Sequence, residues 1–505
     1  MSLSTQASPS SQPVMRQAGQ HLHRASVGPV RPAAAAPARP TTVAPARPVA
    51  VAQARPAAAA LDRDLVVALQ GRAADAWTKK ASTRQDLDEA SIAEMGRAHV
   101  AQVVASWSDE QVREGAAPLD PATRSRVTKA VFDEMFGLGP VQSLVDAGAT
   151  APVTDIEITG CDPVLLMMAD GTFAYQQPVF TTDRDMVAWL QRLASRQSGD
   201  SSAHTYTFTR TSPHLEVELP GRARLSAAYW VCPRPRAAIR LQALKDVDLP
   251  ALRAAGTIDP VLEQFLGAAV RAGLNIVVSG QGQGSGKTTM LRALLSALHP
   301  MTSVAVVESV PELYLDQYPE RHRRVFSQTA LARAQNTGES RHAAVTTAVA
   351  LEKALRSNAE RLVVGEARAP EELLAMFEAM QAGNGSMTTI HANSARDVVE
   401  RLVGLAVRDV SVGEAYAYRQ IASTIDLIVF LGVEVDPTTR HRTRYVREIV
   451  EPSRGEGGQV AITDVFVPGN GGRAVPRSFP SCMDRIIVAG FDRSWFAPRT
   501  GWGQQ

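Results

Sequence analysis

The run Gly280-Gln281-Gly282-Gln283-Gly284-Ser285-Gly286-Lys287-Thr288-Thr289 joins an apolar stretch, Asn275 to Ser279, to a segment with Met290, Leu291, Leu294, Leu295 and Leu298 at helical spacing. A glycine-rich turn between a strand and a helix is what a phosphate-binding loop requires. Glycines let backbone N–H groups turn inward around an anion, and the helix N-terminus adds partial positive charge. Gly282, Gly284, Ser285, Gly286, Lys287, Thr288 and Thr289 are therefore the expected phosphate contacts. Lys287 would reach the terminal phosphates of ATP and the Thr288 hydroxyl would ligate Mg²⁺. A flexible glycine linker does not end in Gly-Lys-Thr-Thr at the start of an apolar helix. The spacing departs from the usual one: Gln281 stands where the loop's first glycine belongs, with Gly280 one residue too early. A non-glycine residue at positive φ costs about 1–2 kcal/mol, so either the loop reroutes through Gly282 or nucleotide binding is weakened.

Hydrolysis needs more than a cradle: a carboxylate to orient water and a group that senses the terminal phosphate. Leu362-Val363-Val364-Gly365-Glu366-Ala367-Arg368 is a buried strand ending in an acid, where a residue holding Mg²⁺ or its water is expected. Val304-Ala305-Val306-Val307-Glu308-Ser309-Val310-Pro311-Glu312-Leu313 is a second apolar strand ending in acids. It lies in sequence between the glycine loop and the Glu366 strand, and reads as the inserted strand that separates motor-type P-loop ATPases from simple kinases and GTPases. Gly385-Ser386-Met387-Thr388-Thr389-Ile390-His391-Ala392-Asn393-Ser394 is a third strand, ending in His391.

These segments, in this order, resemble the secretion-motor ATPases of type II and type IV secretion and pilus systems, and most of all the branch serving Tad/Flp pili, the CpaF-like ATPases. The resemblance covers roughly residues 130–450. Gly365-Glu366-Ala367-Arg368 resembles the Walker B box and Thr389-Ile390-His391-Ala392-Asn393 the His box. Glu308 to Leu313 looks like the Asp box, and Phe136-Gly137-Leu138-Gly139-Pro140 like the N-terminal domain signature. The resemblance implies a homo-hexameric ring with nucleotide between the two domains of a subunit, pushing an inner-membrane platform protein from the cytoplasmic face. It implies Glu312 as catalytic glutamate, Glu366 as the Walker B acid with Mg²⁺, and His391 as phosphate sensor beside Lys287. Arg222, Arg224 and Arg240 match the region whose arginines complete such sites. Ser309 stands where the family usually has Asp, which together with the altered loop puts turnover rate in question. The zinc-binding cysteines of the type II branch have no counterpart, so no zinc is expected.

The elements that must hold these groups alternate strand and helix from Asn275 to Phe430, which implies a RecA-like α/β domain over 261–440 with a mostly parallel sheet covered on both faces. A smaller α/β domain is expected over 121–243, from alternating strands at Val153 to Thr159, Val164 to Met168 and Phe173 to Tyr175, and from those nearer Arg224. Helical spacing over 61–120 gives a lead-in, 244–260 a linker with a short helix near Leu252, and 441–505 a hairpin and closing helix. Residues 1–60 are rich in Ala and Pro, contain Arg but no acid, and should be disordered. Their Arg-Pro pairs at 31, 39, 47 and 55 make either a solubilised linker or an arm for an acidic partner or lipid surface.

At 505 residues with 45% hydrophobic content the chain needs two or three domains. No uncharged apolar run nears the roughly 20 residues that cross a bilayer. A net charge of +2 argues against bulk nucleic-acid binding. Three scattered cysteines, Cys161, Cys232 and Cys482, match no metal or redox spacing. Two other functions stay open: a nucleotide-binding scaffold without turnover, and a nucleic-acid translocase, which the 5% aromatic content disfavours.

Overall fold

The computed structural model describes residues 63–496 apart from 82–88, 151–152, 201–205, 220–222, 242–246, 283, 309–310, 330–345, 382–384 and 410. The Arg-Pro tail, Arg222 and Ser309 therefore lie outside the described residues. Helices α1 (Arg63–Ala81), α2 (Glu89–Arg113) and α3 (Pro121–Phe136) pack through Val66, Leu69, Ala73, Val100, Val104, Val127 and Val131. Helix α3 opens with Pro121 in its first turn and the Asp120 carboxylate accepting from the amides of Ala122 and Thr123. It stops at Gly137, and the Phe136–Pro140 signature then does anchoring work. The Leu138 carbonyl accepts from Trp189 Nε1 at 3.0 Å and the Gly137 carbonyl from Arg196 Nη1 at 2.7 Å. Buried Glu134 pairs with Arg63 at 3.2 Å and Arg192 at 3.4 Å, tying the lead-in to the next layer.

That layer contains α4 (Gln142–Thr150), β1 (Val153–Thr159), β2 (Val164–Met168), β3 (Phe173–Gln176), α5 (Asp183–Asp200), β4 (His214–Glu218), β5 (Arg224–Ala228) and β6 (Arg236–Arg240). The strands form an antiparallel sheet in the order β3-β2-β1-β6-β5-β4. Alternation does the sorting: Ile156, Ile158, Leu225, Ala227, Ala237 and Ile239 turn to the core with Met186, Leu190 and Leu193 of α5. Arg224 and Arg240, paired across β5 and β6, project from the other face.

The second sheet is built from α6 (Leu249–Ala254), α7 (Pro260–Arg271), β7 (Ile276–Gly280), α8 (Lys287–Leu295), β8 (Ser303–Glu308), β9 (Arg324–Thr329), α9 (Thr347–Leu355), β10 (Arg361–Val364), α10 (Pro370–Gln381), β11 (Met387–His391), α11 (Ala395–Ala406), α12 (Glu414–Thr424), β12 (Leu427–Val435), β13 (Arg442–Arg454), β14 (Val460–Pro468), β15 (Ala474–Pro476) and α13 (Met483–Val488). Its order is β15-β14-β13-β12-β7-β11-β10-β8-β9, parallel from β12 to β9 and antiparallel from β12 to β15. Each inner strand is apolar on both sides. Ile276, Val278, Val304 and Val306 meet α7 and α8, while Val277, Ala305 and Val307 meet α9 to α12. This is the covered parallel sheet that strand–helix alternation implies.

One expectation changes. The strand standing between β7 and β10 is β11, the His391 strand; β8, read as the insertion because it intervenes in sequence, lies beyond β10. Chain order and sheet order differ because crossover helices let a later strand enter between two earlier ones. The C-terminal hairpin continues the sheet through β12, which carries β13 across to the mouth of the glycine loop.

Candidate nucleotide site

Parallel sheets bind ligands at the carboxyl ends of their strands, and there β7, β8, β10 and β11 deliver the expected groups together. The loop after β7 has positive φ at Gly282 (64°), Gly284 (74°) and Gly286 (90°), and Gly286 caps α8. Gln281 is not among the positive-φ residues, so the strain expected of it does not arise: the loop reroutes through Gly282. Gln281 instead donates from Nε2 to the Asn393 carbonyl at 3.3 Å.

Lys287, in the first turn of α8, lies 3.1 Å from His391 Nδ1 and 3.3 Å from Nε2, with the Gly282 carbonyl at 3.4 Å and Ser285 Oγ at 3.5 Å. Burial lowers its ammonium to about 8, the charges of Glu366 and Glu312 oppose the fall, and Arg240 and Arg368 reinforce it. His391 is likewise lowered by burial and by the Lys287 charge, which favours a neutral imidazole. Its Nε2 lies 3.8 Å from Glu366 Oε1, whose other oxygen accepts from Arg368 Nε at 3.0 Å and Nη2 at 2.6 Å. Thr389 Oγ1 donates to the Gly365 carbonyl at 2.8 Å, locking the His391 and Glu366 strands in register.

On the opposite side Glu312 accepts from Thr288 Oγ1 at 2.9 Å and from Arg224 Nη1 at 2.9 Å, so a residue of the first sheet reaches the second. Buried Arg292 donates to the Glu312 carbonyl at 2.5 Å. Arg240 is engaged by Asp155, Nε to Oδ1 at 3.1 Å, and acts on Lys287 only through its charge. Thr289 is half-buried in the first turn of α8. The Thr288 hydroxyl and the Glu366 carboxylate offer hard oxygens of the kind Mg²⁺ takes alongside phosphates.

Glu308, which opens the stretch resembling the Asp box, has a supporting place that its sequence does not show. Its Oε1 accepts from the amides of Glu312 at 3.0 Å and Leu313 at 3.2 Å, which holds the bend that aims Glu312. Gly365 makes room for it: a Cβ there would stand 2.9 Å from Glu308 Cγ. Glu308 is 6% exposed, and burial pushes its carboxyl up to about 7 against the pull of the two amides. The folded chain therefore keeps this proton longer than the unfolded chain, whose value is 4.5. The resulting stability is complete below about pH 4.5 and lost as pH rises to about 7. Glu308→Gln, which keeps an acceptor for both amides, is expected to gain up to about 3 kcal/mol over the parent at pH 8. It should also flatten the decline between pH 5 and 7. Urea melts across pH check this, and a variant less stable at pH 8 would contradict it.

Arg442 and Arg444 on β13 also reach the loop. Arg444 Nε donates to the Gly284 carbonyl at 2.7 Å, and Arg442 Nη1 would be 3.2 Å from a Cβ on Gly284. No local signal marks them, because they lie far downstream of the loop in sequence and arrive only through the β12–β13 pairing.

The chain is similar to proteins already known. A family model described as "Type II/IV secretion system protein" matches residues 218–468. A Mycobacterium tuberculosis protein named for conjugal transfer is 30% identical over 344 residues, covering 65% of this chain and 88% of the relative. The type IV secretion system protein VirB11 of Brucella suis is 33% identical over 199 residues, 38% of this chain and 52% of its own. The ATPase DotB of Legionella pneumophila is similar over 61% of this chain and 79% of that one, at 20% identity and a TM-score of 0.42. Among the described residues no helix is long and apolar enough to cross a membrane. With near-complete coverage of one relative and a family match that spans the site, the chain belongs to the type II/IV secretion system protein family.

Proposed function

We propose that this chain hydrolyses ATP as a homo-hexameric motor at the inner face of the cytoplasmic membrane, driving an inner-membrane partner in pilus assembly or secretion. The observation that carries the proposal is the meeting of Lys287, Thr288, Glu312, Glu366 and His391 at adjacent strand ends, with Arg224 arriving from the other sheet. The loop amides and Lys287 bind the phosphates. Glu312, held on its two oxygens by Thr288 and Arg224, orients the attacking water; the bond to the β–γ bridging oxygen breaks as water's oxygen bonds to phosphorus. His391, held near Lys287 and Glu366, reads the terminal phosphate. Mg²⁺, held by Thr288 and Glu366 with the phosphates, would neutralise developing charge. Because Arg224 sits on a different sheet, loss of the terminal phosphate changes what the two layers share, and that difference is the stroke.

The test is Mg²⁺-dependent phosphate release from the full chain, with mass measured with and without a slowly hydrolysed ATP analogue. Turnover and a particle of about six 54.1 kDa subunits are expected. ATP binding without turnover, even with the membrane partner present, would replace the motor by a scaffold. Stimulation by single-stranded DNA would replace it by a translocase.

A further inference from the structure

Two neighbouring outward residues of one strand, Arg442 and Arg444, each touch both the glycine loop and the first sheet. Arg444 donates from Nε to the Gly284 carbonyl at 2.7 Å and from Nη1 to the Ala169 carbonyl, in the β2–β3 turn, at 3.0 Å. Its stem covers Gly286, where a Cβ would meet Arg444 Cδ at 3.5 Å. The Arg442 amide donates to the Asp170 carbonyl at 2.6 Å, and its stem covers Gly171. Among the described residues neither guanidinium has an ion-pair partner. The nearby Asp170 carboxylate is taken by the amide and hydroxyl of Thr172.

A trans peptide is planar, so its C=O and the following N–H point in opposite directions. Whatever holds the Gly284 carbonyl therefore fixes the direction of the Ser285 N–H, one of the amides the loop offers to phosphate. Glycine supplies no such restraint, since Gly284 at φ 74° turns freely between wells. We infer that Arg444 is a positioning residue that sets the Gly284–Ser285 peptide for phosphate and, through Ala169, makes that setting depend on where the first sheet stands. The inference rests on nucleotide binding at this loop and adds to the Arg224–Glu312 contact a link between the layers that runs through the loop itself. A planar guanidinium suits the task because its fork holds two carbonyls in fixed relation, which a lysine ammonium does not.

Three variants of the full chain test it, read by ATP affinity, kcat and Tm. Arg444→Ala is expected to weaken ATP binding about tenfold or more, the order set by one charge-assisted hydrogen bond. Arg444→Lys should restore affinity to within about threefold of the parent, since an ammonium still reaches the Gly284 carbonyl, while kcat stays low. Gly171→Ala puts a Cβ 2.6 Å from Arg442 Cγ and at a φ of 87°, which displaces the turn; it should also lower kcat with affinity kept. Unchanged affinity and kcat in Arg444→Ala would overturn the inference. So would a loss that Arg444→Lys does not rescue and that tracks a fall in Tm. Lys287→Ala, run alongside, separates the two levels. If it loses ATP and Arg444→Ala does not, only the positioning role fails; if it binds ATP like the parent, the nucleotide site itself fails.

Discussion

Lys287→Ala is expected to abolish measurable ATP hydrolysis, with a loss of at least ~10²-fold in kcat/KM, the scale seen when one charged donor is removed from a preorganised anion site. The ammonium is buried beside an imidazole that favours its neutral form and, among the described residues, takes no direct carboxylate salt bridge, so its charge is available to phosphate at little cost. The same burial gives the effect a pH signature. With the ammonium lowered to about 8, the form that binds phosphate is complete below that pH and dwindles above it. ATP affinity of the parent should therefore fall about tenfold per pH unit once pH passes about 8, with one proton taken up on binding. Lys287→Ala should lack this slope. Isothermal titration in buffers of different ionisation enthalpy measures both, and a parent affinity that is flat from pH 7 to 9 would refute the assignment of the charge.

Glu312→Gln should behave in the opposite way, binding ATP while losing about 10²–10⁴-fold in kcat, the range for removal of a general base. The amide keeps an oxygen for Thr288, and the backbone N–H of residue 312 still donates to Glu308 Oε1, so the bend survives. What it loses is the negative charge that pairs with Arg224 and to which the proposed mechanism gives the orienting of water. Single-turnover mixing with ATP separates binding from chemistry. Turnover at the parent rate would move the water-orienting role to Glu366, which sits across Lys287 near His391.

How much of this was legible depended on whether the information was local. The loop, the Glu366 strand and the His391 strand each carry their signal within ten residues, and all three stand where their sequences imply. Arg224 was reachable only through the family likeness; nothing in Gly221-Arg222-Ala223-Arg224 shows that β5 will face Glu312. The order of strands is hidden, because chain order points to β8 as the insertion while the sheet places β11 there. Some misses were avoidable. Helix α7 begins at Asp259-Pro260, with the Asp259 carboxylate capping the Leu262 amide, a start signal visible in the sequence. Others were not: Arg444 acts through a carbonyl, a group every residue has, and pattern reading cannot see it.

The contact between Arg224 and Glu312 is half in solvent, with side chains 28% and 34% exposed. Ion pairs of that kind contribute about 0–1 kcal/mol, no more than ordinary thermal jostling supplies. A weld between the layers would call for a dry, bidentate pair; a single contact this open to solvent costs little to break, so its engagement follows whichever neighbour holds Glu312. Such a latch gives reversibility at the expense of grip, and added salt alone should loosen it.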